Sequence, residues 1–264
     1  WKEESKGKEE QPVLSYCLPL EEATGRWLCD VPGGALWREA QELDTIFTDN
    51  SFIDTPANYE TNGTTLVRYW GQKDALLIPP CWLSIGPDAF ASSHTLKALS
   101  VPHTVQRICS GAFRRSGLEH CELRSGIEEI GPFAFAETNL KAIHLPDTLQ
   151  RMEHGAFAGT TLEQVRIPGS VRKVSEFCFE NNTSLRCVTL ETGVEEIGAF
   201  AFRNCHELCE LNIPDSVNWI HPSAFEGCSR LLHVNASSQW KECYPDLYMN
   251  CIRQTLEDSC NEEV

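Results

Sequence analysis

A small residue followed by Phe recurs along the middle of this chain, and no other feature constrains the fold as tightly. The pairs are Ala89-Phe90, Ala112-Phe113, Ala134-Phe135, Ala156-Phe157, Cys178-Phe179, Ala201-Phe202 and Ala224-Phe225. Successive Phe residues are 23, 22, 22, 22, 23 and 23 apart. Five residues before each Phe stands an aliphatic one: Ile85, Ile108, Ile130, Met152, Val174, Ile197 and Ile220. After each Phe comes a Leu: Leu96, Leu118, Leu140, Leu162, Leu185, Leu208 and Leu231. From each Leu to the next Phe the distance is always 17 residues, whereas from Phe to Leu it is 5 or 6. All the slack in length falls in one segment, as an internal repeat with one variable loop requires.

The fixed segment alternates apolar and polar residues, the pattern of a half-buried strand. Leu76/Ile78, Leu99/Val101, Cys121/Leu123, Ile143/Leu145, Val165/Ile167, Val188/Leu190, Leu211/Ile213 and Val234/Ala236 give eight such strands. Strands one coil apart must run parallel and in register, and eight of them span about 34 Å. Pro79, Pro102, Pro146, Pro168 and Pro214 close the strands, since proline cannot donate to a ladder. The two rungs that carry Arg124 and Glu191 instead have Gly126 and Gly193 before the next aliphatic residue, where the other repeating rungs have Thr104, Thr148, Ser170 and Ser216. Glycine supplies φ > 0, so these two turns are expected to follow a different backbone route. No single coil can cover its own apolar face, so the coils must stack.

The pattern L-x-x-L-x-I-P-x-x-V-x-x-I-x-x-x-A-F resembles the BspA-like, or Treponema pallidum-type, leucine-rich repeat over residues 76–236. It departs from the common leucine-rich repeat by carrying Pro where Asn or Cys follows the strand. The resemblance implies an α/β-type repeat solenoid. The expected form is a right-handed array with one parallel β-sheet of about eight strands and short helical or irregular segments on the convex side. It also implies a protein-interaction role, with members often at microbial cell surfaces and linked to adhesion. Residues 52–85, with Gly63-Thr-Thr-Leu-Val-Arg-Tyr-Trp-Gly71, resemble the hairpin that opens such arrays. Caps are needed because an open sheet edge pairs with other chains. The expected division is a tail and helical flank at 1–48, a capping hairpin at 49–75, the solenoid at 76–236 and a cap with an acidic tail at 237–264.

Outside the array, residues 1–12 read as a polar tail. Leu36, Ala40, Leu43 and Phe47 share a helical face, and Trp240, Tyr244, Leu247, Tyr248, Cys251, Ile252 and Leu256 suit a short helix over the last coil. The net charge of −16 argues against binding nucleic acid or anionic lipid through charge. No stretch approaches the apolar length of a membrane-spanning helix, and no signal peptide is visible in the chain. Thirteen cysteines are an odd count with no CxxC pair. Cys121, Cys178, Cys205 and Cys228 fall on core positions and read as reduced thiols acting as small hydrophobes. Cys17, Cys29, Cys243, Cys251 and Cys260 in the flanks could form disulfides in an exported protein. A metal site at Cys205-His206-Glu207-Leu208-Cys209 with Cys187 is disfavoured, because an inward Leu208 leaves Cys205 and Cys209 on different faces. Neither a metal nor a cofactor is expected.

The outward strand residues form two rows. One is Ala98, His120, Ala142, Gln164, Cys187, Glu210 and His233; the other is Ser100, Glu122, His144, Arg166, Thr189, Asn212 and Asn235. Glu122, His144 and Arg166 invite an acid–base reading, yet no nucleophile, paired carboxylates or phosphate loop accompanies them. The expected binding residues are Glu122, His144, Gln164, Arg166, Thr189 and Asn212 on the concave sheet face. Phe177 and Phe200, two before the repeating Phe on adjacent coils, form a second candidate surface. The expected function is non-enzymatic: a surface or secreted adhesion-type protein that binds a protein or glycan partner. The alternative is an intracellular scaffold or sensor domain of a larger protein. Neither nucleic acid nor membrane insertion is expected.

Overall fold

Alternating residues commit each strand to one inward and one outward face, and a 22- or 23-residue period returns the chain to the same place one rung further on. In the computed structural model, residues 52–231 and 233–236 are described, with two short strands, Cys17–Pro19 and Trp27–Cys29. Those two strands pair antiparallel, Cys17 opposite Cys29. The polar tail, the helices read at 34–47 and after residue 240, and Cys243, Cys251 and Cys260 lie outside the described residues.

All eight long strands form: Ala75–Leu77, Ala98–Val101, His120–Leu123, Ala142–Ile143, Gln164–Ile167, Cys187–Leu190, Glu210–Asn212 and His233–Asn235. They run parallel, one coil per rung, with Ala98 beside His120 and Gln164 beside Cys187. They make two four-stranded sheets rather than one. The ladder breaks where Ala142–Ile143 is only two residues long, and the Glu163 amide still donates to the Lys141 carbonyl across that break at 3.1 Å.

A second parallel sheet, which alternation does not reveal, covers the adjoining side. Its strands are two residues each, Ser84–Ile85, Arg107–Ile108, Glu129–Ile130, Arg151–Met152, Lys173–Val174, Glu196–Ile197 and Trp219–Ile220. The hairpin Tyr59–Asn62/Thr65–Tyr69 completes it to nine strands. The aliphatic residue five before each Phe is its inward residue, and all seven are buried.

The third side carries turns, the irregular alternative to the short helical segments, and its hydrogen bonds explain why. Alternate amides reach sideways: Gly111, Phe113 and Arg115 donate to the carbonyls of Pro132, Ala134 and Ala136 on the next coil, at 2.8–2.9 Å. The amides between them, Ala112, Arg114 and Ser116, close local turns onto Cys109, Gly111 and Phe113. A helix would need every amide to bond four residues back along its own segment. Here half are committed to the neighbouring coil, so no α-helix forms among the described residues; one 3-10 turn occurs at Pro56–Asn58. The route needs left-handed backbone two residues before Phe, where Asp88, Gly111, Phe133, Gly155, Phe177 and Phe200 have φ between 53° and 63°.

The seven Phe rings stack in single file through the centre, with centroids 5.0–5.4 Å apart and planes within 20°. The hairpin supplies the ring that begins this spine: Tyr69 lies 5.2 Å from Phe90, with Tyr59 and Trp82 behind it. The buried Tyr69 hydroxyl donates to Asp54 Oδ2 at 2.7 Å, so the spine ends on a satisfied polar group. Burial, then the Asp54 hydrogen bond, pushes the Tyr69 phenol well above its ordinary range.

The exchange of Gly for Thr or Ser in the turns has a direct partner. Thr148 Oγ1 accepts from the Gly126 amide at 3.0 Å and donates to the Ile127 carbonyl at 2.8 Å. Ser216 does the same for the Gly193 amide and the Val194 carbonyl. Gly193 has φ +120°, as anticipated. Gly126 is nearly extended, and a Cβ there would meet the His103 carbonyl oxygen at 2.0 Å, so close approach is the stronger reason for glycine.

Candidate functional site

The polar face of the long strands is built by register. Arg166 lies beside Thr189, and Thr189 beside Asn212, on one unbroken ladder that also aligns Gln164, Cys187 and Glu210. Glu122 belongs to the other four-stranded sheet, and His144 follows its last strand, so the break in the ladder separates them from Arg166. His144, Gln164 and Arg166 are exposed; Glu122, Thr189 and Asn212 are half-buried.

Charges on this face are largely engaged with each other. Glu122 accepts from the Ser100 hydroxyl at 2.9 Å and faces Arg124 at 3.4 Å. Arg166 Nε donates to Glu191 at 2.6 Å and its guanidinium reaches Asp147 at 3.5 Å. Asn235 donates to Asn212, which donates to Glu210. The two charges flanking His144 therefore point to other partners, and an acid–base relay through His144 gains no support from the geometry.

The face does not start at the first rung. Outward Leu77 and Ala98 are buried beneath Phe52 and Ile53, and Ser100 is fully buried. Residues just before the hairpin cover the opening of the sheet, so the accessible polar surface begins near Glu122. The one signal in the sequence was the apolar character of outward Ala75, Leu77 and Ala98, unlike the polar residues that follow.

Phe177 and Phe200 do come together, 5.1 Å apart and stacked, and they belong to a longer stripe. Phe133 lies 5.1 Å from His154, and His154 lies 4.9 Å from Phe177. Beyond Phe200 the stripe continues to His221 and exposed Trp219. Arg114 covers the Phe133 ring and Arg203 the Phe200 ring. The Phe side chains lie along the stripe and are half-buried by it: a Cβ on Gly155 would meet the Phe133 ring at 2.4 Å. Only a glycine in that coil admits the ring from the coil before.

A third row was missed. Three residues after six of the seven spine Phe, from Phe113 on, stand Ser116, Thr138, Thr160, Asn182, Cys205 and Cys228, all buried. Four of them serve carbonyls of the spine, and Thr138 does so within its own turn, to Phe135 at 2.8 Å. Asn182 donates to the Phe157 carbonyl at 3.0 Å and accepts from both the amide and the hydroxyl of Thr160. Cys205 and Cys228 donate to the Phe179 and Phe202 carbonyls at 3.2 and 3.1 Å. They are thus weak donors as well as small apolar fillers. The eight cysteines from Cys81 to Cys228 are free thiols. Burial pushes the thiols of Cys121, Cys178 and Cys205 up, and burial followed by the charge of Glu210 raises Cys187, each away from the reactive thiolate. Among the described residues no cluster of His, Cys, Asp and Glu could hold a metal ion. Nor is any helix among them long and apolar enough to cross a membrane.

Comparison with known proteins agrees with this architecture. A family profile described as BspA type leucine rich repeat region matches in six copies, over residues 74–186 and 153–258. Among solved structures, the leucine-rich repeat protein of T. pallidum is 25% identical with a TM-score of 0.65, over 74% of this chain and 95% of that one. A leucine-rich repeat protein from Bacteroides ovatus is 24% identical, over 63% of this chain and 61% of that one, with a TM-score of 0.36. The pneumococcal vaccine antigen PcpA is 18% identical, over 66% and 43%, with a TM-score of 0.42. The last two superpose too loosely to inform the site. A search of curated proteins returns no match.

Proposed function

Because the chain belongs to the BspA-type leucine-rich repeat family, we propose that it is a non-enzymatic interaction module that binds a protein or glycan partner through the outward face of its long strands. The finer reading is an exported, adhesion-type protein. Family membership makes interaction the expected role, since repeat arrays present extended surfaces and lack enclosed sites. The observation that carries the choice of surface is the unbroken ladder Gln164–Arg166, Cys187–Thr189 and Glu210–Asn212. It sets exposed and half-buried polar side chains about 5 Å apart on a rigid backing. Glu122 and His144 extend that surface toward the covered first rungs. The proposal divides the chain as 1–48 flank, 49–75 cap, 76–236 array and 237–264 C-terminal cap and tail.

The test takes the full chain as bait against cell-surface protein and glycan arrays, then measures the affinity of each ligand retained. Charge reversal in Glu122→Lys and Arg166→Glu should weaken binding at least tenfold without unfolding the protein, as a retained cooperative melt would show. Binding that survives both reversals but fails in Phe177→Ala or Phe200→Ala would move the site to the aromatic stripe. A second reading, an intracellular scaffold or sensor domain, draws on the free thiols throughout the described array. Thiol counting on native protein purified from its own cell discriminates the two compartments.

A further inference from the structure

We infer that Cys205 and Cys228 are a paired oxidation site: on exposure to a disulfide oxidant they close a bond between neighbouring coils and tie the coil of Phe225 to the coil of Phe202. The inference is independent of which surface binds a partner.

Geometry carries it. Each cysteine stands three residues after a spine ring, Phe202 and Phe225, and those rings are 5.3 Å apart and within 3° of parallel. The backbones are joined beside the cysteines, where the Asn204 amide donates to the Glu226 carbonyl at 2.8 Å, and chains bonded in this way lie about 5 Å apart. That spacing falls inside the range of about 4.4–6.8 Å between Cα atoms that a disulfide spans. Both side chains point toward the preceding coil, Cys205 Sγ to the Phe179 carbonyl and Cys228 Sγ to the Phe202 carbonyl. The Cys228 thiol is thereby directed into the coil that holds Cys205, near enough that, after burial, its presence is the next cause raising the Cys205 thiol. Cys121 has no such neighbour, since Leu99 and Ile143 flank it in register. Cys178 stands in a slot that holds Ala156 and Ala201 in the adjoining coils.

In other coils Thr138 and Asn182 serve spine carbonyls from this row, and neither they nor Ser116 and Thr160 can be oxidised to a crosslink. Two adjacent thiols occur only toward the C-terminal end of the row. The coil of Phe225 ends at His233–Asn235, the last strand described. A bond between cysteines 23 positions apart closes a short loop and restricts local opening of these two coils.

The exchange balances with an external disulfide of the glutathione class. The thiolate of one cysteine attacks a sulfur of the oxidant, forming a mixed disulfide and expelling one thiolate. The second cysteine then attacks the protein-bound sulfur, closes the Cys205–Cys228 bond and expels the other. The oxidant is reduced to two thiols, which take up the two protons lost by the cysteines. Both thiols are buried in the closed array, so the exchange proceeds during folding or through local opening of these coils.

The full chain is refolded with a reduced and oxidised glutathione couple, its free thiols are alkylated under denaturing conditions, and the digest is mapped without reduction. The expected result is a linked peptide pair containing Cys205 and Cys228, lighter by two hydrogen atoms than the sum of its parts. A reductant should also lower the melting temperature of the oxidised wild type but not of Cys205→Ser/Cys228→Ser, whose hydroxyls keep the carbonyl hydrogen bonds. Alkyl label on both cysteines of the oxidised, folded protein overturns the inference. So does a link from Cys187 to Cys209 in its place, or a reductant effect of equal size in the double variant.

Discussion

Phe157→Ala removes the middle ring of the spine. That ring is fully buried and stacks on Phe135 at 5.2 Å and 1° and on Phe179 at 5.4 Å and 6°. Its loss forfeits the transfer energy of a whole aromatic side chain and opens a cavity that rings locked on both sides cannot fill, together costing about 3–5 kcal/mol. Two ring pairs, each contributing about 0.5–1.5 kcal/mol beyond area burial, place the cost toward the upper end. For a cooperative unit of this size, about 2–4 °C per kcal/mol converts the loss into a fall of roughly 6–20 °C. Thermal and urea denaturation followed by circular dichroism measure it. Phe225→Ala, with only Phe202 as a ring neighbour among the described residues and with slight exposure, should lose less. Phe177→Ala, half-buried on the outer stripe, should lose less than Phe157→Ala. Equal losses at Phe157 and Phe177, or a loss at Phe157 under about 1 kcal/mol, would refute the claim that the inner rings hold the coils together.

Gly155→Ala places a Cβ against the Phe133 ring at a left-handed position with φ +61°; a destabilisation of about 1–3 kcal/mol in urea titration is expected, and a neutral result would contradict the stripe's packing. Asn182→Ala leaves the Thr160 donors and the Phe157 carbonyl short of a buried partner; it should cost about 1–3 kcal/mol, more than Thr183→Ala on the exposed surface. Stability should also fall with acid. Hydrogen bonds from Arg151 to Glu129, and from Arg115 to Glu137, hold these carboxyls below their ordinary value. Folded pKa values that are depressed stabilise the array above the unfolded pKa and lose that contribution as pH falls through the folded one. The decline should therefore begin near pH ~4.5 and continue below it, and Glu129→Gln should flatten it in melts taken across that range.

The long-strand sheet and the Phe spine were readable because their residues carry strict periods: alternation over four positions and a ring every coil. The second sheet was not, since a two-residue strand such as Lys173–Val174 shows no alternation to detect. Its one visible trace, an aliphatic residue five before Phe, reads equally well as a core position of a loop. Helical outer segments were a reasonable expectation from the leucine-rich repeat resemblance, but hydrogen bonding from Phe113 to Ala134 and its equivalents belongs to tertiary structure. Left-handed backbone two residues before Phe was hinted at by Gly111, Gly155 and Asp88 and then hidden by Phe133, Phe177 and Phe200 at the same position. Tyr69 escaped notice because it comes from the hairpin and lies outside the period. The row of Ser116, Thr138, Thr160 and Asn182 was legible in principle: four polar residues share one slot with two cysteines, and reading Cys205 and Cys228 as apolar obscured it. The covering of Leu77 and Ala98 by Phe52 and Ile53 depends on where the chain runs before the hairpin, which no local pattern encodes.

Site-resolved amide hydrogen exchange on the intact chain tests the stacking of coils most directly. Stacking commits the Cys109, Phe113, Gly131 and Phe135 amides, and their equivalents in each coil, to hydrogen bonds with the coil before or after. Protection should therefore recur every 22 or 23 residues from Ile85 to Ile220. Slow exchange in contiguous helix-length runs, or protection with no repeat along the sequence, would contradict the account.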